Sequence, residues 1–214
     1  MPSPQSRENI LNRIRLALQT PTETHVPKPD FSASIYSQTA EEPSLLFAQT
    51  FIKNKGEFYF CESNKNFLAQ LQQVMEKKNI TELYAWENPL QELLSQSNIT
   101  YKADDRNFTS VEAGITLCEC LVARTGGVMV SSRQLAGRRL TIYPPVHIVV
   151  AYTSQILLDI KDSLTFLQEK YPENIPSMIS MIAGPSRTAD IEKTLVLGAH
   201  GPKELILFLL EDQL

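Results

Sequence analysis

The fold class follows from residues 57–94, which read EFYFCESNKNFLAQLQQVMEKKNITELYAWENPLQELL. The aromatic run Glu57–Cys61 predicts a strand, and a helix with an apolar stripe follows it. Leu83–Trp86 predicts a second strand, after which Asn88-Pro89 is typical of an N-cap and first helical turn. Strands separated by helices of this length indicate βαβ units. We therefore predict an α/β fold with a mostly parallel sheet flanked by helices.

The segments before this unit differ in composition. Ser6–Leu18 places apolar residues on one face and predicts an amphipathic helix, whereas Thr20–Pro43 has four prolines and no glycine and predicts an extended arm. The arm is either a linker or a device that carries the first helix to a partner subunit, which would make a homo-oligomer. We expect an N-terminal helix and Pro-rich arm over 1–43 and an α/β domain over 44–214.

The second half is richer in strands. Apolar runs predict them at Gly127–Val130, Leu140–Tyr143, His147–Tyr152, Met178–Ala183 and Leu205–Leu210, in addition to short strand Ile99–Lys102. Ser154–Lys170 predicts one long helix. Thr188–Leu197 fits a helix and a strand, so its structure stays open.

Charge and hydropathy exclude several function classes. The chain of 214 residues has a formal net charge of −4, which disfavours nucleic-acid binding over its whole surface. The longest apolar run, Leu205–Leu210, is far shorter than the roughly 20 residues of a membrane span, and the N-terminus lacks the apolar stretch of a signal peptide. We expect a cytoplasmic protein without nucleic-acid or membrane partners.

Known cofactor and catalytic motifs are missing from the sequence. Three cysteines, Cys61, Cys118 and Cys120, suit reduced thiols better than a disulfide framework or a zinc site. The chain has no G-x-G-x-x-G, P-loop, G-x-S-x-G or H-E-x-x-H motif and no iron–sulfur cysteine spacing. We expect no metal and no cofactor in this chain.

Four clusters of turn-forming and polar residues separate the apolar runs of the second half. In an open parallel sheet, such loops hold ligands beyond the carboxyl ends of the strands. The clusters are Thr125–Gly127, Tyr143–His147, Gly184–Asp190 and Gly198–Pro202.

The third cluster predicts an anion site. Gly184, Ser186, Arg187 and Thr188 offer hydroxyls, a guanidinium and backbone N–H groups in one turn, and a helix starting there would add its positive end. The alternative is that a hydroxyl only caps the helix while Arg187 pairs with Asp190.

The remaining clusters contribute further candidates. His200 lies in a glycine-flanked loop, where an imidazole can transfer protons or bind an oxyanion, and Asp190 is its expected catalytic partner. Gly201 beside it, Thr125, Gly126 and Gly127 would let backbone approach a ligand. His147 is a further ligand candidate, although it can equally cover the end of the sheet.

Several strings together resemble one family. Gly114–Thr116, Ala123–Gly126, Tyr143–Ile148, Gly184–Glu192 and Gly198–Pro202 match, in order and spacing, the lactate-utilisation (LUD) domain family, specifically its lactate utilisation protein C branch, from about Phe47 to Asp212. The string GPSRTADIE is the most specific of them. The chain departs from the pattern at Arg124, where similar proteins usually carry an acid, and at Gly127, where Thr is frequent.

The resemblance implies a fold like that of the sugar-phosphate isomerase and CoA-transferase superfamily. It also implies a part in oxidising L-lactate to pyruvate beside iron–sulfur and flavin-type partner proteins. We expect either a site for a small carboxylate or phosphate anion or a non-catalytic subunit whose loops support assembly. The alternative is a stand-alone isomerase or transferase acting on a phosphorylated or CoA-linked acid. Such an enzyme is expected to have a Glu or Lys facing the cleft, and Glu119 is the candidate carboxylate.

Overall fold

The structure is a computed structural model that describes residues 4–19, 39–104, 111–190, 194–198 and 200–212, without the side chains of residues 4, 188–190 and 194–197. The chain forms two compact units, Met1–Thr39 and Ala40–Leu214. In the first unit, helix α1 (Pro4–Gln19) confirms the predicted amphipathic helix. Most of the predicted arm, residues 20–38, lies outside the described residues.

The second unit contains, in chain order, α2 (Pro43–Lys53), β1 (Glu57–Cys61), α3 (Asn64–Lys78), β2 (Leu83–Ala85), α4 (Asn88–Leu94), β3 (Ala113–Thr116), β4 (Cys120–Val122), β5 (Gly127–Ser131), β6 (Val146–Tyr152), β7 (Ile156–Leu157), α5 (Ile160–Lys170), β8 (Ile179–Ile182), β9 (Arg187–Asp190), β10 (Thr194–Leu197) and β11 (Glu204–Leu210).

A five-stranded sheet forms the centre of the second unit, in the order β1-β11-β6-β3-β2. All its neighbouring strands are parallel. Strands β6 and β11 are buried along nearly their whole length, as apolar strands covered on both faces are in a parallel sheet. The predicted α/β class with a mostly parallel sheet is confirmed.

Helices α3 and α4 cover one face of this sheet. Phe67 and Leu71 of α3 and Leu90 of α4 pack with Ile148 and Phe208 of the central strands. Ser63, two residues after the end of β1, caps α3, since its hydroxyl accepts a hydrogen bond from the Asn66 N–H at 3.2 Å. Burial of this apolar face, more than helix propensity, holds these helices in place.

Helix α2 and a second sheet cover the opposite face. The second sheet has the order β7-β4-β5-β8, in which β4 pairs parallel with β7 and antiparallel with β5, and β5 pairs antiparallel with β8. Phe47 and Phe51 of α2 and Val128 and Val130 of β5 pack with Val149 of β6. The other side of the second sheet packs on α5. The central sheet is therefore covered on both faces.

Two strand predictions were wrong. Leu140–Tyr143 forms a series of turns instead of a strand. Leu140 packs over Gly114 of β3, so closely that a Cβ added to Gly114 would lie 2.8 Å from the Leu140 side chain. Ile99–Lys102 forms only an isolated bridge between Lys102 and Tyr84. The first of these errors arises because an apolar run that covers the edge of a sheet has the same composition as a strand.

The helix predictions need two corrections. Only Ile160–Lys170 of the long predicted helix is α-helical, because Asp159 and Asp162 form a capping box that starts α5 there, and β7 occupies Ile156–Leu157. Glu87, rather than Asn88, is the N-cap of α4. The open segment Thr188–Leu197 contains the antiparallel pair β9 and β10.

Within the described residues, no helix combines the length and apolar character that a membrane span requires.

Candidate functional site

Two turns meet beside the amino ends of β6 and β11. Turn 184–186 follows β8, and turn 200–202 precedes β11; the Ser186 N–H donates to the Pro202 carbonyl at 2.8 Å. Pro145, which precedes β6, accepts backbone hydrogen bonds from the two residues after the second turn. The expectation that these loops gather at the carboxyl ends of parallel strands was therefore wrong for this pair of turns. They lie at the opposite edge of the central sheet.

A cavity of about 220 Å³ opens at this junction. One of its walls is the second sheet, where Val130 pairs with Ser180 and Val128 pairs with Ile182, so that these side chains share one face. The two turns form another wall. The lining residues are Val130, Thr141, Ile142, Met178, Ser180, Ile182, Gly184, Ser186, His200, Gly201 and Pro202.

Four residues predicted from the sequence line this cavity, namely Gly184, Ser186, His200 and Gly201. Gly201 lets the two turns approach each other, because a Cβ at this position would lie 3.1 Å from the Cβ of Ser186. His200 is exposed, so its ring borders solvent as well as the cavity. The third and fourth sequence clusters are thus brought to one place.

Arg187 lies beside this site but contacts helix α2. One guanidinium nitrogen donates to the Asn54 carbonyl at 2.8 Å, while the side chain stays exposed. Asn54 is the C-cap of α2, so a cation there is favoured by the helix dipole and by an unsatisfied carbonyl. Contact between Arg187 and an anion remains a prediction, and it requires the guanidinium to leave this carbonyl or to use its other N–H groups.

Thr125–Gly127 packs on the same end of α2. Asn54 donates from its side chain to the Thr125 carbonyl at 2.7 Å. Gly126 has φ +58°, and a Cβ on it would lie 2.6 Å from the Phe51 nitrogen, so both conformation and space require glycine. Among the described lining residues of the cavity, none comes from this turn. Asn54, at the end of α2, therefore contacts both Thr125 of the first cluster and Arg187 of the third, outside the cavity.

His147 is buried within the central sheet. Its Nε2 lies 2.9 Å from the Thr116 hydroxyl, and Nδ1 has no hydrogen-bond partner within the described residues. Burial lowers the pKa of His147 to about 4, because an imidazolium there would lose its hydration. The structure thus places this predicted ligand residue as a neutral core side chain.

The structure gives the backbone, but not the side chains, of Thr188 and Asp190. The predicted ligand contact of Thr188 and the pairing of Asp190 with His200 therefore lie outside the described part. The backbone itself corrects one expectation, because Arg187–Asp190 is a strand and no helix begins at this turn. The positive end of a helix is not available to an anion here.

Sequence reasoning missed a polar cluster around Glu119. This carboxylate is 1% exposed and accepts hydrogen bonds from the hydroxyls of Ser131 (2.5 Å) and Tyr171 (3.1 Å) and from Lys170 Nζ (2.8 Å). Lys170 and Tyr171 belong to the end of α5 and its C-cap, 51 and 52 residues further along the chain. No local spacing joins such distant residues, so the sequence offers little signal for the cluster.

Glu87 lies near the same cluster and is also buried. Its carboxylate accepts a hydrogen bond from the Leu117 N–H at 2.6 Å. Burial raises its pKa, and the charge of Glu119 adds to this effect. The two carboxylates lie beyond the carboxyl ends of β2 and β3, whereas the cavity lies beside the amino ends of β6 and β11.

Arg124 forms an ion pair with Asp159, with Nε 2.6 Å from the carboxylate oxygen and both side chains 19% exposed. The charge of Arg124 is therefore neutralised by the residue that caps α5. The cysteines are free and buried, which agrees with the prediction of reduced thiols. No group of three or more His, Cys, Asp or Glu side chains that could hold a metal occurs in the described ranges.

Comparisons of the sequence with known proteins identify a family. The sequence model of the LUD domain matches residues 46–210. An uncharacterised protein of Neisseria meningitidis is 31% identical over 94% of this chain and 92% of its own length. Lactate utilization protein C 1 of Bacillus mycoides is 31% identical over 52% of this chain and 49% of its own length. Lactate utilization protein C of Shouchella clausii is 23% identical over 98% of this chain and 99% of its own length.

A solved structure agrees in fold. A DUF162 family protein from Deinococcus radiodurans superposes with a TM-score of 0.59 at 15% identity, covering 81% of this chain and 99% of that protein. Its likeness bears on the architecture alone. The family match covers most of the α/β unit, including both turns that line the cavity, and we conclude that the chain belongs to the LUD domain family.

Proposed function

We propose that the protein is a component of an L-lactate utilisation system and that its cavity binds the carboxylate of a small organic acid. The relatives named lactate utilization protein C support the first part. The observation that carries the second part is the meeting of Gly184–Ser186 and His200–Pro202 at one cavity.

The lining has the composition of a ligand site. Ser186 can donate a hydrogen bond to a carboxylate, and a ring N–H of His200 can donate another. A mostly apolar cavity with a few convergent polar groups is the usual form of a small-molecule site. We place the carboxylate of the ligand at these two residues, with the guanidinium of Arg187, which directly follows turn 184–186, as a nearby cation.

The redox chemistry of lactate oxidation belongs, in this proposal, to iron–sulfur and flavin-type partner proteins. The chain itself then binds the acid or supports assembly of the complex, in the cytoplasm, with α1 available for contact with a partner or a second copy. The alternative activity as a transferase or isomerase has less support, because both oxygens of Glu119 already accept hydrogen bonds within a buried cluster. Such a carboxylate would have to break these bonds to attack a substrate.

Growth and binding test the two parts separately. Deletion of the gene in its host is expected to abolish growth on L-lactate but not on pyruvate, and normal growth on L-lactate would refute the assignment. Titration calorimetry of L-lactate, pyruvate and inorganic phosphate against wild type, Ser186→Ala and His200→Ala tests the site. Ser177→Ala, an exposed serine outside the lining, is the matched control. Equal binding by all four proteins would refute the placement of the carboxylate.

A further inference from the structure

The cavity is more apolar than a site for lactate alone requires. Val130 and Ile182 of the second sheet, Met178 just before β8 and Ile142 in the turns before β6 provide much of the lining. No Lys, Arg, Asp or Glu occurs among its described lining residues. Lactate offers one methyl group to such a surface, and the remaining apolar area would stay in contact with water.

The polar groups of the lining are unevenly placed. Ser186 and His200 belong to the two turns, whereas Ser180 is the polar residue contributed by the strands. Thr141 donates its hydroxyl to the Gly137 carbonyl at 3.1 Å and is therefore already engaged. The turns thus suit a single polar head group, and the strands with Ile142 suit an apolar chain.

The volume leads to the same conclusion. An apolar cavity of about 150 Å³ holds benzene, which has six heavy atoms, or about 25 Å³ for each. Lactate also has six heavy atoms, and the cavity measures about 220 Å³. The difference leaves room for about three more carbon atoms.

We propose that the cavity takes a monocarboxylic acid whose apolar chain is about three carbons longer than that of lactate. Its carboxylate lies at Ser186 and His200, and its chain packs on Val130, Ile182 and Ile142. This inference rests on the proposed function, since it assumes that the cavity binds an acid, and it adds the size and polarity of that acid.

Chain length is the variable that tests it. Titration calorimetry of L-lactate and of 2-hydroxybutanoate, 2-hydroxypentanoate, 2-hydroxyhexanoate and 2-hydroxyoctanoate against the full chain gives the affinity for each added carbon. A buried methylene strengthens binding about fourfold, so the six-carbon acid is expected to bind about 60-fold more tightly than lactate. The eight-carbon acid exceeds the free volume and is expected to gain nothing further.

A surface substitution separates cavity binding from general hydrophobicity. Ile142 is 46% exposed, so Ile142→Ser is expected to fold and to weaken binding of the six-carbon acid several-fold more than binding of lactate. Ile175→Ser is the matched control, because Ile175 is 49% exposed and does not line the cavity. Loss of affinity in both variants, or in neither, would overturn the proposed chain position.

The outcomes distinguish this inference from the function on which it rests. Equal affinity for all chain lengths would overturn the inference and leave acid binding intact. Absence of binding for every acid would overturn both the inference and the proposed acid site. A fourfold step per carbon that ends at the six-carbon acid would support both.

Discussion

The buried imidazole of His147 makes the stability of the fold depend on pH. Burial lowers its pKa from 6.5 to about 4. As the pH falls below 6.5, the unfolded chain binds a proton at this residue while the folded chain does not, so the free energy of unfolding decreases. The loss levels off below pH 4, where both states are protonated. Above 6.5 both states are neutral and the residue contributes no pH dependence.

The magnitude follows from the two pKa values. The complete effect is about 3 kcal/mol, and about 2 kcal/mol of it is lost between about pH 7 and about pH 5. This is a large fraction of the roughly 5–15 kcal/mol that stabilises a typical domain. His147→Gln removes the titration, and carboxylates that titrate over the same range contribute equally to both proteins.

The assay is urea unfolding of wild type and His147→Gln at a series of pH values. The difference between their free energies of unfolding is expected to change by about 2 kcal/mol over this range, with wild type losing more. His200→Gln removes an exposed imidazole and serves as the control. NMR of the imidazole carbon-bound protons gives a second measurement, in which the His147 signal is expected to stay in the neutral position down to about pH 5. Parallel pH profiles for wild type and His147→Gln, or titration of that signal near 6.5, would refute this reasoning.

Three other predictions concern the glycine turn, the buried carboxylate and the thiols. Gly126→Ala is expected to destabilise the fold by more than about 2 kcal/mol, because it adds strain at φ +58° and a clash with α2. Gly137→Ala, at φ +49°, where an added Cβ would lie 3.5 Å from the Gln134 carbonyl oxygen, is expected to cost only about 1 kcal/mol in urea unfolding. Ser131→Ala removes a hydrogen bond to a buried carboxylate and is expected to cost about 2 kcal/mol in thermal or urea unfolding, and an unchanged stability would contradict that role for Glu119. The cysteines are expected to react with a thiol reagent only in denaturant, because burial raises their pKa values. The pKa of Cys61 rises to about 11, that of Cys120 to about 12, and that of Cys118 well above its usual value. Rapid labelling of the native protein would contradict this prediction.

Much of the central sheet could be predicted from the sequence, because its strands are short apolar runs bounded by polar turns. Glu57–Cys61 and Leu205–Leu210 match β1 and β11 within one residue. The errors occurred where apolar residues cover the sheet from a turn, as Leu140 does, or where a capping box divides an apolar stretch, as Asp159 does. Composition does not distinguish these cases from a strand or a continuous helix.

The candidate site was only partly accessible to the same reasoning. Glycine-punctuated turns indicated Ser186 and His200, and the fold brings them to one cavity. The apolar wall was not predicted as part of a site, because Val130 and Ile182 have the sequence pattern of ordinary core residues. The orientation of Arg187 depends on Asn54, which is 133 residues away in the chain, and no sequence pattern relates the two.

The position of β11 bears on how the chain folds during synthesis. This strand lies between β1 and β6, both of which precede it in the sequence, and β1 and β6 do not pair with each other. A ribosome has therefore made both neighbours before it makes the strand that joins them, and their unpaired edges stay open until residues 204–210 emerge. Open apolar edges invite pairing with other chains, so we expect nascent molecules to need a chaperone at this stage.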